Sequence, residues 1–137
     1  MLLHSPMTRK HQRGFTLIEL MVVISIIVIL MSVAIPRYQA SILRARETVL
    51  RDDLYTLRSV IDQYTLDKQK APQSLQELVE AGYLKQLPLD PFTNSRDGWV
   101  PLTDESLMSP DQTEPGIIDV HSGSDLTSTQ GTAYSTW

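Results

Sequence analysis

Residues 15–35 form an apolar run of 21 residues with a single ionisable side chain, Glu19. As a helix rising about 1.5 Å per residue, the run spans roughly 30 Å, the hydrocarbon thickness of a bilayer. Such a segment can be buried only in lipid or against copies of itself. A carboxylate within it is costly unless a counter-charge meets it, so Glu19 is a functional candidate whose partner has to be named. Arg9, Lys10 and Arg13 precede the run with no acid among them. That asymmetry keeps the leader in the cytoplasm and puts everything after the run outside it.

A cleaved secretory signal shares the order of basic leader and apolar stretch. Three features oppose that reading. The run is longer than a usual signal core, no small-x-small site follows it (the chain reads Ala34-Ile35-Pro36-Arg37-Tyr38), and a signal gains nothing from Glu19. A plain signal anchor meets the first two objections but not the third. Gly14-Phe15-Thr16-Leu17-Ile18-Glu19, leading into an unbroken apolar helix with Pro36 beyond, resembles the class III signal of type IV pilins and type II secretion pseudopilins. The resemblance implies that a membrane prepilin peptidase/methyltransferase cuts between Gly14 and Phe15 and methylates the new N-terminus of Phe15. The leader 1–14 is then lost and the apolar segment stays.

Cleavage would create an ammonium group at Phe15, one helical turn from the Glu19 carboxylate. In an apolar surround neither charge is tolerable alone, and pairing offsets part of that cost. The amine could meet the Glu19 of its own chain. The family resemblance favours the Glu19 of a neighbouring subunit, a contact that sets axial register.

The chain has 137 residues and a formal charge of −4; loss of Arg9, Lys10 and Arg13 with the leader takes the mature chain to −7. An acidic domain argues against nucleic acid as a partner. There is no cysteine, so the exported domain rests on its core, on burial of its helix or on a bound ion. No zinc-ligand spacing, Gly-x-Ser-x-Gly elbow or phosphate loop occurs, and His4, His11 and His121 are scattered. The five tyrosines and two tryptophans are spaced as core residues rather than as a conducting chain.

Between Arg37 and Lys68 there is no Gly or Pro, so the helix is predicted to continue past Pro36, with a kink or local loosening at that proline. Leu50, Leu54, Leu57, Ile61 and Tyr64 recur at spacings of four and three, the apolar face of an amphipathic helix. Arg44, Arg46, Arg51, Asp52, Arg58 and Asp62 are assigned to the other face, either solvated or lying against a neighbouring subunit. After a turn-rich break at 67–73, Ser74-Leu75-Gln76-Glu77 has a capping-box pattern and opens a short helix that Gly82 ends. The prolines of Leu87-Pro88-Leu89-Asp90-Pro91-Phe92 impose an extended, turning passage, with Leu84, Leu87 and Phe92 in the core and Asp90 at a turn. Strands are predicted at 98–102, 116–121 and 133–137, with polar loops at 103–115 and 122–132. The fold class is α+β: one long N-terminal helix, its first half transmembrane, packed on a small antiparallel sheet with a short second helix. The expected organisation is leader 1–14, filament-core helix 15–35, amphipathic half 36–68, and a region 69–137 that completes the domain with 36–68.

The Gly82-Tyr83-Leu84 and Leu87-Pro88-Leu89-Asp90-Pro91 passages and Phe92-Thr93-Asn94 resemble the major pseudopilins of type II secretion, with phenylalanine where that family commonly has tryptophan. The resemblance covers residues 13–92 and part of the last 20. Ile118 to Asp125, with Gly131 and Trp137, is similar to the calcium-loop region of that family. By position it implies Asp125 as a calcium ligand, with the backbone carbonyl of Ser122 as a second. The family's later acids are absent, since Thr127–Trp137 contains no Asp or Glu, and a hydrogen-bonded polar loop is the competing reading. The resemblance implies a structural subunit of a periplasmic pseudopilus, anchored in the inner membrane, that exports folded proteins. Its partners would be copies of itself, the peptidase, a polytopic platform protein, minor pseudopilins and the membrane. A surface type IV pilin is the alternative. An exported enzyme or binding domain on a simple anchor is a third reading, opposed by the lack of any convergent catalytic set.

Overall fold

The computed structural model describes residues 1–2, 13–105, 110 and 114–137. The expectations for Arg9, Lys10, His4 and His11, and much of the loop predicted at 103–115, lie outside the described residues. The chain divides into two units, Met1–Gln39 and Ala40–Trp137.

Helix α1 runs Leu17–Lys68 and includes Pro36. In the first unit its side chains are exposed throughout; Leu17 is 77% exposed and Ile18 72%. The helix is long and apolar enough to cross a membrane. Ser25 and Ser32 turn their hydroxyls back onto the carbonyls of Met21 and Ile29, at 2.7 and 2.6 Å, so neither adds an unsatisfied donor to the apolar surface.

In the second unit the predicted stripe is the core. Leu50, Leu54, Leu57, Ile61 and Tyr64 are buried, and they pack with Leu75 and Leu78 of helix α2 (Leu75–Glu80), Leu87, Trp99, Ile117, Val120 and Tyr134. The Ser74 hydroxyl accepts the Glu77 N–H, as the capping pattern predicts. The Glu77 carboxylate also accepts from the Gln73 N–H at 2.7 Å and the Tyr64 hydroxyl at 2.8 Å, tying α2 to α1. Gly82 sits at φ +84, the left-handed conformation that ends the helix.

Strands β1 (Val100–Thr103) and β2 (Ile117–His121) pair antiparallel, with a register shift between Leu102 and Thr103. The strand predicted at 133–137 is not one: Tyr134–Thr136 is a turn of 3-10 helix. The Ala133 carbonyl accepts both the N–H and the hydroxyl of Thr136, and the Tyr134 carbonyl accepts the Trp137 N–H. These local bonds take groups a ladder would need; across the loop there remain an isolated bridge from Ala133 to Thr127 and the Tyr134 N–H donated to the Leu126 carbonyl at 3.0 Å. Tyr134 is thereby aimed inward, stacked on Phe92 at 3.8 Å between ring centroids.

Candidate functional site

Gly14 and Phe15 lie in exposed, irregular chain just before α1. The Thr16 hydroxyl accepts the Glu19 N–H at 3.2 Å and the Thr16 carbonyl accepts the Leu20 N–H at 3.1 Å, so Thr16 caps the helix. Glu19 therefore sits in the first turn, where the helix dipole favours an anion. It is exposed and has no ion-pair partner among the described residues. In the uncut chain the Phe15 nitrogen belongs to a peptide bond and carries no charge to offer it. Among the described residues, a Cβ added at Gly14 would meet nothing within 4 Å, so packing against them gives no reason for glycine there.

A second constellation joins α1 to the C-terminal loop. Glu47 is 5% exposed, and its carboxylate accepts from the Thr129 N–H (2.7 Å), the Thr129 hydroxyl (2.7 Å) and the Tyr134 hydroxyl (2.8 Å). The loop is closed on itself by Ser128. Its N–H donates to the Thr132 carbonyl at 2.7 Å, and its hydroxyl oxygen accepts from the N–H groups of Gln130 and Thr132. Gly131, at φ +83, makes the turn. Three turns along α1 from Glu47, Arg58 donates to the Asp119 carboxylate at 2.6 Å and to the backbone oxygens of Val120 and Trp137. Arg51 lies 4.5 Å over the Trp137 ring. Arg58, assigned to a face either solvated or lying against a neighbouring subunit, is tied into its own domain, joining α1 to β2 and to Trp137. Glu47 went unnoticed in the sequence although a signal was there. It continues the apolar stripe one step upstream, three residues before Leu50, and an acid in phase with a buried stripe requires buried donors.

The residues implied for calcium are Asp125 and the backbone carbonyl of Ser122. Asp125 is exposed, and Ser122 is fully buried with its hydroxyl donated to Asp90 at 2.6 Å. Among the described residues no three Asp, Glu, His or Cys side chains are grouped to hold a metal. Calcium takes six to eight oxygens with free lone pairs. The carboxylate that does reach this loop, Glu47, already accepts three hydrogen bonds from donors pointing at one place. The donor set does not fit the ion.

Burial pushes the Glu47 carboxyl upward, but the Thr129 and Tyr134 hydrogen bonds, with Arg51 nearby, outweigh it and hold it below the usual 4.5. Burial also opposes ionisation of Asp119 and Glu77, and both are nonetheless held low, Asp119 by the Val120 N–H and Arg58 and Glu77 by Gln73 and Tyr64. Asp53 is shifted the other way, by burial and then by Asp52 and Asp90. A depressed carboxyl contributes stability that is present above its unfolded value and lost as pH falls through its folded one. Three carboxyls, Glu47, Asp119 and Glu77, are held low and one, Asp53, is raised. The melting temperature of the folded unit should hold steady from pH 7 to about 5 and fall below about pH 4.5. A circular-dichroism melt series in detergent checks this; a melting temperature that rises on acidification contradicts it.

Residues 9–35 match the family model described as the prokaryotic N-terminal methylation motif. The type II secretion system core protein G of Pseudomonas aeruginosa is 36% identical over 104 residues, covering 64% of this chain and 73% of that protein. Its namesake from Klebsiella michiganensis is 35% identical over 132 residues, covering 85% of each chain, and that of Escherichia coli K12 is 38% identical over 99 residues, covering 61% and 68%. No solved structure matches the chain significantly. The methylation motif falls on the leader and on the exposed apolar part of α1 that begins with Thr16 and Glu19, and the similarity to these relatives reaches well past it into the folded unit. The chain therefore belongs to the type II secretion system core protein G family, the major pseudopilins.

Proposed function

We propose that this chain is made as a precursor, cut between Gly14 and Phe15, methylated at Phe15, and polymerised into a periplasmic pseudopilus that moves folded proteins out of the cell. The observation that carries the reading is the exposed apolar face of α1 from Leu17 to Ile35. A surface of that extent stays out of water only in lipid or among copies of the same helix. Before assembly it holds the chain in the inner membrane, with 36–68 and 69–137 forming one periplasmic domain and residues 15–35 becoming the filament core. The positive leader supports that orientation. Gly14, which packing does not require, answers to the peptidase, and Pro36 is where the helix can bend on assembly. The chain acts as a structural subunit rather than an enzyme. Its partners are its own copies, the prepilin peptidase/methyltransferase, the inner-membrane platform protein and minor pseudopilins.

Mass spectrometry of the protein from its native membrane is expected to show a chain starting at N-methylated Phe15. Deleting the gene is expected to leave exoproteins in the periplasm. An intact Met1 overturns the processing step. A properly processed subunit whose loss leaves secretion unchanged overturns the secretion role in favour of a surface pilin.

A further inference from the structure

The polarity of the C-terminal loop is the reverse of a cation site. In a calcium loop, oxygens point inward at a positive centre. Here the N–H and hydroxyl of Thr129 and the hydroxyl of Tyr134 point inward at a negative one, the Glu47 carboxylate of α1. A cation placed among these donors would face the positive ends of their dipoles. The loop residues Thr127–Trp137 supply no acid to reverse that. Glu47 is buried and in contact with a loop 82 to 87 residues away, and hydrogen bonds to an ionised acceptor are the stronger kind.

We propose that Glu47 does for this loop what a bound cation would do: it is the central charge around which 127–134 folds, so that the domain is fastened to α1 without calcium. Ser128 and Gly131 shape the turn that brings the three donors to one point. Arg51 and Arg58, on the next turns of α1, hold Trp137 and β2 beside it. The inference rests on the geometry of the folded unit and is independent of the pseudopilus reading.

The test uses the full-length chain in detergent, with calcium chloride or EGTA as the only variable. The melting temperature is expected to be the same in both. A site filled 100-fold above its dissociation constant would instead raise it by about 10 °C or more. Glu47→Gln should lower the melting temperature by roughly 5–10 °C, with no recovery on adding calcium. Amide exchange at Thr129 and Gly131 should speed up at least about tenfold while Leu57 and Ile61 stay protected. If the E47Q chain does not fold, Thr129→Val, which removes one of the three donors, is expected to show the same pattern to a lesser degree. Calcium-dependent melting of the unsubstituted chain overturns the proposal. So does loop exchange in the readable variant that matches the parent.

Discussion

A Glu19→Ala chain should be cleaved and methylated at Phe15 like the parent, yet form no pseudopili and secrete nothing. Glu19 belongs to the first unit and is not one of the buried core residues of the second. It is an exposed side chain in the first turn of α1, on a surface otherwise apolar from Leu17 to Ile35. Its removal makes that surface greasier, so membrane insertion should not suffer. What changes is the fate of the ammonium group that the proposed cleavage would create at Phe15. Packed among apolar helices, that charge needs a carboxylate, and removing one member of a buried ion pair typically costs about 3–5 kcal/mol. At about 1.4 kcal/mol per tenfold, each subunit addition weakens by two to three orders of magnitude or more. Mass spectrometry reads the processing, and filaments recovered from overproducing cells read the assembly. Parent-like processing with filaments at parental abundance would remove Glu19 from the register of the polymer. Loss of processing would place its role at the peptidase instead.

The parts of this structure that the sequence discloses are those whose cause is local. The stripe Leu50, Leu54, Leu57, Ile61 and Tyr64 has helical period, and all five residues are buried. The α2 cap needs only Ser74 and the amide three residues on, and the turn at Asp90 needs only its neighbours. The interactions that were hidden span the chain. Glu47 is in phase with the buried stripe, but its donors, Thr129 and Tyr134, lie 82 and 87 positions away. Arg58 reads as a solvated helix charge because Asp119 and Trp137 are 61 and 79 positions away. The last five residues carry strand-like composition, but Thr136 bonds back to Ala133 and turns the segment into 3-10 helix, a local choice that alternation of residue types does not register. The N-terminal motif is legible for a different reason: a lone acid in a bilayer-length apolar run has few physical uses.

Asp90→Ala is expected to cost the folded unit more than truncating any of its exposed charges. Asp90 is fully buried, and its two carboxyl oxygens serve three donors from two parts of the chain. One oxygen accepts the N–H groups of Phe92 (2.9 Å) and Thr93 (3.4 Å), fixing the turn after Pro91; the other accepts the Ser122 hydroxyl at 2.6 Å. That single side chain therefore locks the Leu87–Asn94 crossing to the end of β2. Around it, the Trp99 indole donates to the Pro88 carbonyl at 2.8 Å and Arg96 to the Leu87 carbonyl at 2.7 Å, so the crossing is held from both sides. At Gly123, beside Ser122, a Cβ would lie 2.3 Å from the Gly98 carbonyl oxygen, which leaves the segment no room to shift towards a new partner. Alanine strands three donors in a site closed to water, at about 1–3 kcal/mol for each group left unsatisfied. A total of roughly 3–5 kcal/mol is a large share of the 5–15 kcal/mol that holds a domain folded. The melting temperature should fall by about 15 °C or more, and the chain should become protease-sensitive. Asp90→Asn keeps one acceptor for the turn and should lose about half as much. An alanine variant that melts within about 2 °C of the parent would mean that the crossing is held without the Asp90 side chain, by Trp99, Arg96 and the backbone bridge of residue 90 to Ser95.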